Sequence, residues 1–106
     1  MDDRVRDLSR TLFGGAQYRL EVGAALTAGE VISIKDLAVR LGDPPGTASV
    51  NTELKMLEKA GLLERLPQVG SDRRVFLQPR ASSYWDTCRE LVRYARTATT
   101  PTVGSL

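Results

Sequence analysis

A mainly helical domain carrying one small β-hairpin is the fold class this sequence predicts, and three observations predict it. Apolar residues recur at three- and four-residue spacing in five separate segments, the mark of amphipathic helices. Two short strand-like runs, 62–66 and 75–78, flank a longer polar connection, and Gly or Pro punctuates most junctions. With 106 residues, 42% of them hydrophobic, the chain makes a single domain with one modest core, residues 1–98, followed by a Thr-rich, Pro-containing tail at 99–106 expected to be flexible.

Val5, Leu8 and Leu12 place a first helix at 3–13, ended by Gly14-Gly15. Good helix formers from Ala16 to Ala28, with Tyr18, Val22, Ala25 and Leu26 on one side, predict a second helix closed by Gly29. Val31 and Ile32 suffice for a single extended bridge. Ser33 followed by Asp36 has the spacing of a capping box with a shorter acid, so a third helix starts at Ile34, turns Ile34, Leu37, Ala38 and Leu41 inward, and stops at Gly42. Asp43-Pro44-Pro45-Gly46 forces a turn, because proline fixes its own φ and biases the preceding residue away from helix. A fourth helix at 47–60 carries Val50, Leu54, Met56, Leu57 and Ala60 inward, and Gly61 ends it. The hairpin then spans 62–80 with a loop from Pro67 to Arg74 suited to mobility, and a last helix at 82–97 has a wide apolar face including Tyr84, Trp85, Cys88, Leu91, Val92 and Ala95.

Fifteen basic and thirteen acidic residues leave a net charge of +2 and a pI near 9, a mild pointer to nucleic acid. The charge is local: segment 62–80 holds Arg65, Arg73, Arg74 and Arg80 against Glu64 and Asp72. One cysteine and no histidine leave too few soft ligands for a structural zinc or a thiolate sensor, so neither a metal nor another cofactor is expected. The chain also lacks a Gly-rich phosphate loop, a nucleophile elbow and clustered carboxylates, so it is not expected to be an enzyme. No apolar run approaches the roughly 18–20 residues of a membrane span, and MDDRVRD lacks a signal peptide's basic and apolar regions. A cytoplasmic protein without a membrane partner is the expectation.

The order of elements, with IKDLAVRLG followed by SVNTELKMLEKAGLLER, resembles the winged helix-turn-helix domains of bacterial transcription regulators, ArsR-like or MarR-like. Ala38 and Gly42 stand where helix-turn-helix proteins carry a small residue and a turn glycine, LKMLEKAGLLER is similar to the run from recognition helix into first wing strand, and YRLEVGAAL is similar to the helix preceding the motif in ArsR-like repressors. The likeness covers residues 16–80. It implies a helix-turn-helix at 34–60, a wing at 62–80, and flanking helices that dimerise. The chain departs from the pattern in two ways: Leu41 to Leu54 is about two residues longer, through the Asp-Pro-Pro-Gly insertion, and the metal-binding cysteines of the ArsR sensors are absent.

The expected function is therefore a homodimeric transcription regulator that binds double-stranded DNA by sequence. Thr47, Ser49, Asn51, Thr52 and Lys55 form the small or polar face of the reading helix, which suits a major groove; Asn pairs bidentately with adenine, and Ser and Thr reach phosphates or base edges. Arg73 and Arg74 at the wing tip suit a backbone or minor groove, and Lys35 a phosphate. Val5, Leu8, Leu12, Trp85, Leu91 and Val92 are the expected dimer interface. The competing reading is a winged-helix adaptor that binds a basic protein partner, with Glu53 in the middle of the exposed helix surface and Glu58 near it. A third places a ligand or redox response at Tyr84, Trp85 and Cys88, although a cysteine on an apolar stripe is usually a small buried hydrophobe.

Overall fold

The computed structural model describes residues 3–97, so the expected tail lies outside the described residues. It contains five helices, α1 (Asp3–Leu12), α2 (Arg19–Ala24), α3 (Ile34–Leu41), α4 (Gly46–Lys59) and α5 (Ser83–Thr97), and three strands, β1 (Ile32–Ser33), β2 (Leu63–Arg65) and β3 (Phe76–Pro79). The strands form one antiparallel sheet ordered β1-β3-β2, an arrangement compatible with a winged helix. The expected bridge is thus a third strand: Ile32 pairs with Leu77 and Ser33 with Phe76, while Val31 stays exposed beyond the sheet.

Helix ends follow local chemistry closely. The Ser33 hydroxyl accepts the Asp36 amide at 3.0 Å and caps α3. At the other end of the motif, the Gly61 amide donates to Glu58 O and the Leu62 amide to Leu57 O, the paired bonds of a Schellman stop, with Gly61 at φ +82°. Ala60 is the capping residue of that stop, and so it is exposed instead of facing inward. α2 departs most from expectation, spanning six residues against thirteen. Its approach is held by the buried Ser9, whose hydroxyl donates to Ala16 O at 2.5 Å and accepts the Leu20 amide at 3.3 Å. Its exit is set by Leu26, which is fully buried, and by the Gly29 amide, which donates to Pro79 O; Gly29 therefore serves the turn toward the sheet and does not close the helix.

One core lies between α2, α3, α4, the sheet and Trp85, with Val50, Leu54 and Leu57 from α4 all buried. A smaller cluster joins α1, α2 and α5 through Val5, Leu20, Cys88, Val92 and Ala95. α2 and α5 approach closely at Gly23, where a Cβ would stand 2.5 Å from Cys88 Sγ and 3.2 Å from a Tyr84 ring carbon. Gly23→Ala should therefore cost about 1–3 kcal/mol through overpacking. Chemical denaturation should show that Cys88→Ala restores much of the loss in the double variant, since removing the sulfur opens the space that the added methyl needs.

These packing facts revise the interface expectation. Val5, Trp85 and Val92, expected between subunits, are buried within the single chain at 0%, 1% and 6% exposure. Their apolar stripes are consumed by the chain's own core, because α1 and α5 pack on each other and on α2. Leu8 and Leu91 are partly buried against the same small cluster, and Leu12 is left half exposed, joined among exposed apolar side chains by Tyr94. Among the described residues, no helix is long and apolar enough to cross a membrane.

Candidate nucleic-acid interface

α4 presents three consecutive turns of polar side chains, Thr47, Asn51 and Lys55, because residues four apart share a helix face while Val50, Leu54 and Leu57 hold the opposite one in the core. That polar face forms one wall of a groove of about 370 Å³. The start of α3 contributes Ser33, Ile34 and Lys35, and the base of the wing contributes Arg65, Arg74 and Val75. The fold thus gathers five sequence-predicted residues, Lys35, Thr47, Asn51, Lys55 and Arg74, around one opening. A second hollow, of about 330 Å³ over the α3–α4 turn, shares Lys35 and Thr47 with the first, and the Asp43 carboxylate lies on its wall.

Three predicted residues stand apart. Ser49 is half-buried outside the groove lining, and the Thr52 hydroxyl donates to Ala48 O at 3.1 Å, within its own helix. Arg73 projects from the wing loop and forms no ion pair among the described residues. Arg73 and Arg74 are therefore not equivalent. Arg74 is held by Asp72, whose carboxylate accepts its backbone amide at 3.0 Å and its guanidinium at 2.9 and 3.2 Å, and it lies 5.0 Å over the Phe76 ring. These guanidinium and amide bonds hold the Asp72 carboxyl below its usual range and raise Arg74.

Arg65 is the groove cation that helix periodicity does not assign. Its guanidinium grips Glu58 as a fork at 2.8 and 3.1 Å, joining the end of α4 to β2. That bond raises the Arg65 pKa and depresses the Glu58 carboxyl, so the pair stays ionised through neutral pH. Its one signal in the sequence is membership of the locally basic segment 62–80. Lys35 and Lys55 are exposed and form no ion pair among the described residues.

Glu53 corrects the expectation of an exposed carboxylate in the middle of the reading face. It is 7% exposed, on the side of α4 facing α2, and accepts a hydrogen bond from Arg19 Nε at 2.8 Å. Arg19 in turn lies 5.4 Å from the Phe13 ring centroid. Glu53 is turned inward and Glu58 is paired with Arg65, so each acid already has a cationic partner within the chain.

At its start α4 has neither a side-chain cap nor an acid in its first turn; the Gly46 amide donates to Gly42 O at 3.0 Å, and the amides that follow it have no side-chain acceptor. Gly46 has φ +75°, and a Cβ there would stand 3.1 Å from an Asp43 oxygen, so the turn into α4 requires glycine. Among the described residues, no group of three or more His, Cys, Asp or Glu side chains is placed to hold a metal. Cys88 is buried, and burial pushes its thiol up, which disfavours the reactive thiolate. Compared with family models, curated proteins and solved structures, the chain finds no match.

Proposed function

We propose that the protein is a winged helix-turn-helix regulator that binds double-stranded DNA by sequence as a homodimer. In this reading α3 and α4 form the helix-turn-helix, α4 lies in the major groove, and the β2–β3 wing contacts backbone or minor groove. One observation carries it: Lys35, Thr47, Asn51, Lys55, Arg65 and Arg74 line a single groove from which Glu53 has been withdrawn. Cations around a polar helix face provide phosphate attraction and base-edge chemistry on the same surface. The test is selection of a preferred duplex from random DNA, then a salt titration against that duplex and an unrelated one. Preference that persists at physiological salt supports the proposal; no preference, with binding abolished at that salt, defeats it.

A protein-binding reading is favoured by a different feature, an apolar hollow of about 420 Å³ on the wing lined by Val31, Leu66, Pro67, Val69 and Phe76. Exposed apolar patches of this kind often mark partner surfaces. Absence of DNA preference in the selection experiment would move the weight there.

The homodimer is expected to use the residual apolar surface of α1 and α5, which includes Leu12 at 50% and Tyr94 at 61% exposure. Light scattering at micromolar concentration should give twice the chain mass. Leu12→Asp should reduce it to the monomer while circular dichroism stays native, because this side chain contributes little to the chain's own core. A wild-type monomer at these concentrations would remove the two-fold assembly from the proposal.

A further inference from the structure

We propose that Arg6 is a positioning residue for the reading helix, holding the turn that feeds α4 and tying α1 to the DNA-reading surface. The inference rests on the DNA proposal for what α4 does. It begins with a charge the core has no evident need for: the Glu21 side chain is fully buried and the Arg6 side chain is 13% exposed. Arg6 Nε donates to Glu21 Oε1 at 2.9 Å, Nη2 reaches Glu21 Oε2 at 3.4 Å, and the guanidinium lies 5.1 Å over the Tyr18 ring. A buried pair is a weak source of stability, since desolvating both charges offsets most of their attraction, and apolar replacements of similar volume often do as well. Its effect here is geometric.

The same Nη2 donates to Pro44 O at 3.2 Å, across thirty-eight residues of sequence. Pro44 lies two residues before α4 begins, in a turn whose flanking Gly42 and Gly46 both have positive φ. Glu21 holds the guanidinium plane, and the plane holds the turn. A second clasp, Arg19 to Glu53, fixes α4 farther along from α2. One anchor just ahead of the helix and one on it set its rotation as well as its place, and rotation decides whether Thr47, Asn51 and Lys55 face the groove. Arg6 belongs to α1, whose Leu12 lies on the proposed pairing surface, so any displacement of α1 would reach the reading helix through this hydrogen bond.

The test replaces the pair with Arg6→Met/Glu21→Met, which leaves no lone buried charge, and uses Arg6→Lys as a second variant. Lys keeps the ion pair but has no rigid fork to span Glu21 and Pro44 O. Hydrogen exchange in the protein without DNA should show the hydrogen-bonded amides at the start of α4, Gly46 and residues 50–52, exchanging at least about tenfold faster in both variants, with α5 unchanged. Affinity for the preferred duplex should fall by roughly five- to thirtyfold, within the range of coupling changes seen for residues that touch neither ligand. Unchanged exchange at Gly46 and 50–52 in a folded double variant overturns the proposal; if that variant does not fold, unchanged exchange in Arg6→Lys does so. Faster exchange with unchanged duplex affinity overturns the link to DNA. Faster exchange in a protein whose wild type prefers no duplex leaves the positioning role standing and defeats the DNA reading instead.

Discussion

Replacing Trp85 by alanine is expected to cost about 3–5 kcal/mol of folding stability, a large share of the roughly 5–15 kcal/mol available to a domain of this kind. The side chain is 1% exposed and packs in the main core. Its Nε1–H donates to Arg80 O at 2.6 Å, and its ring meets Tyr84 edge-on at 5.3 Å between centroids. Alanine removes the largest apolar side chain that α5 contributes to that core, leaves a cavity, and deprives the Arg80 carbonyl of its indole donor. Trp85→Phe, which keeps a ring and loses the donor, should cost substantially less. Urea denaturation followed by circular dichroism measures both, since the chain's single tryptophan is the residue removed. The destabilisation should come as unfolding of the chain. A Trp85→Ala protein that keeps full stability and merely changes from dimer to monomer would return Trp85 to the interface.

That contrast shows what a one-dimensional pattern carries. Periodicity identifies the apolar stripe of α5, but a stripe does not say whether its cover comes from the same chain or another. Trp85, Val92 and Val5 have that ambiguity, and the packing of α1, α2 and α5 resolves it toward the same chain. Helix ends are more legible because they depend on neighbours in sequence: Ser33 caps α3, and Gly61 stops α4. α2 is not, since its ends are set by Ser9 from α1 and Pro79 from β3.

The groove divides in the same way. Thr47, Asn51 and Lys55 follow from four-residue spacing alone. Glu53 cannot be placed by that spacing, because α4 is covered on two sides, by the core and by α2, and only the docked Arg19 reveals the second cover. Arg65 is equally hidden, for it enters through the pairing of β2 beside the end of α4, a meeting with Glu58 across seven residues of sequence.

The second large effect should come from the groove itself, and it separates attraction from reading. Lys35→Ala/Lys55→Ala removes two exposed cations that form no ion pair among the described residues, and Glu58, which Lys55 attracts through space, keeps its fork to Arg65. Binding to every duplex should weaken by about ten- to a hundredfold at physiological salt, and the slope of log affinity against log salt should flatten by about 0.9 for each phosphate the variant no longer neutralises. Asn51→Ala should leave that slope alone and reduce discrimination at one base pair by about 1–3 kcal/mol, if Asn51 pairs bidentately with a base. The wing arginines refine the comparison. Arg73, with no ion pair among the described residues, should contribute to the slope as nearly one whole phosphate, whereas Arg74 must be drawn from Asp72 before it meets one, so Arg74→Ala should change affinity less than Arg73→Ala. A salt titration of all four variants against preferred and unrelated duplexes measures these quantities together. Equal flattening in the lysine and Asn51 variants would mean the groove attracts DNA without reading it, and an unchanged slope in the lysine variant would mean that DNA, if bound at all, meets another face.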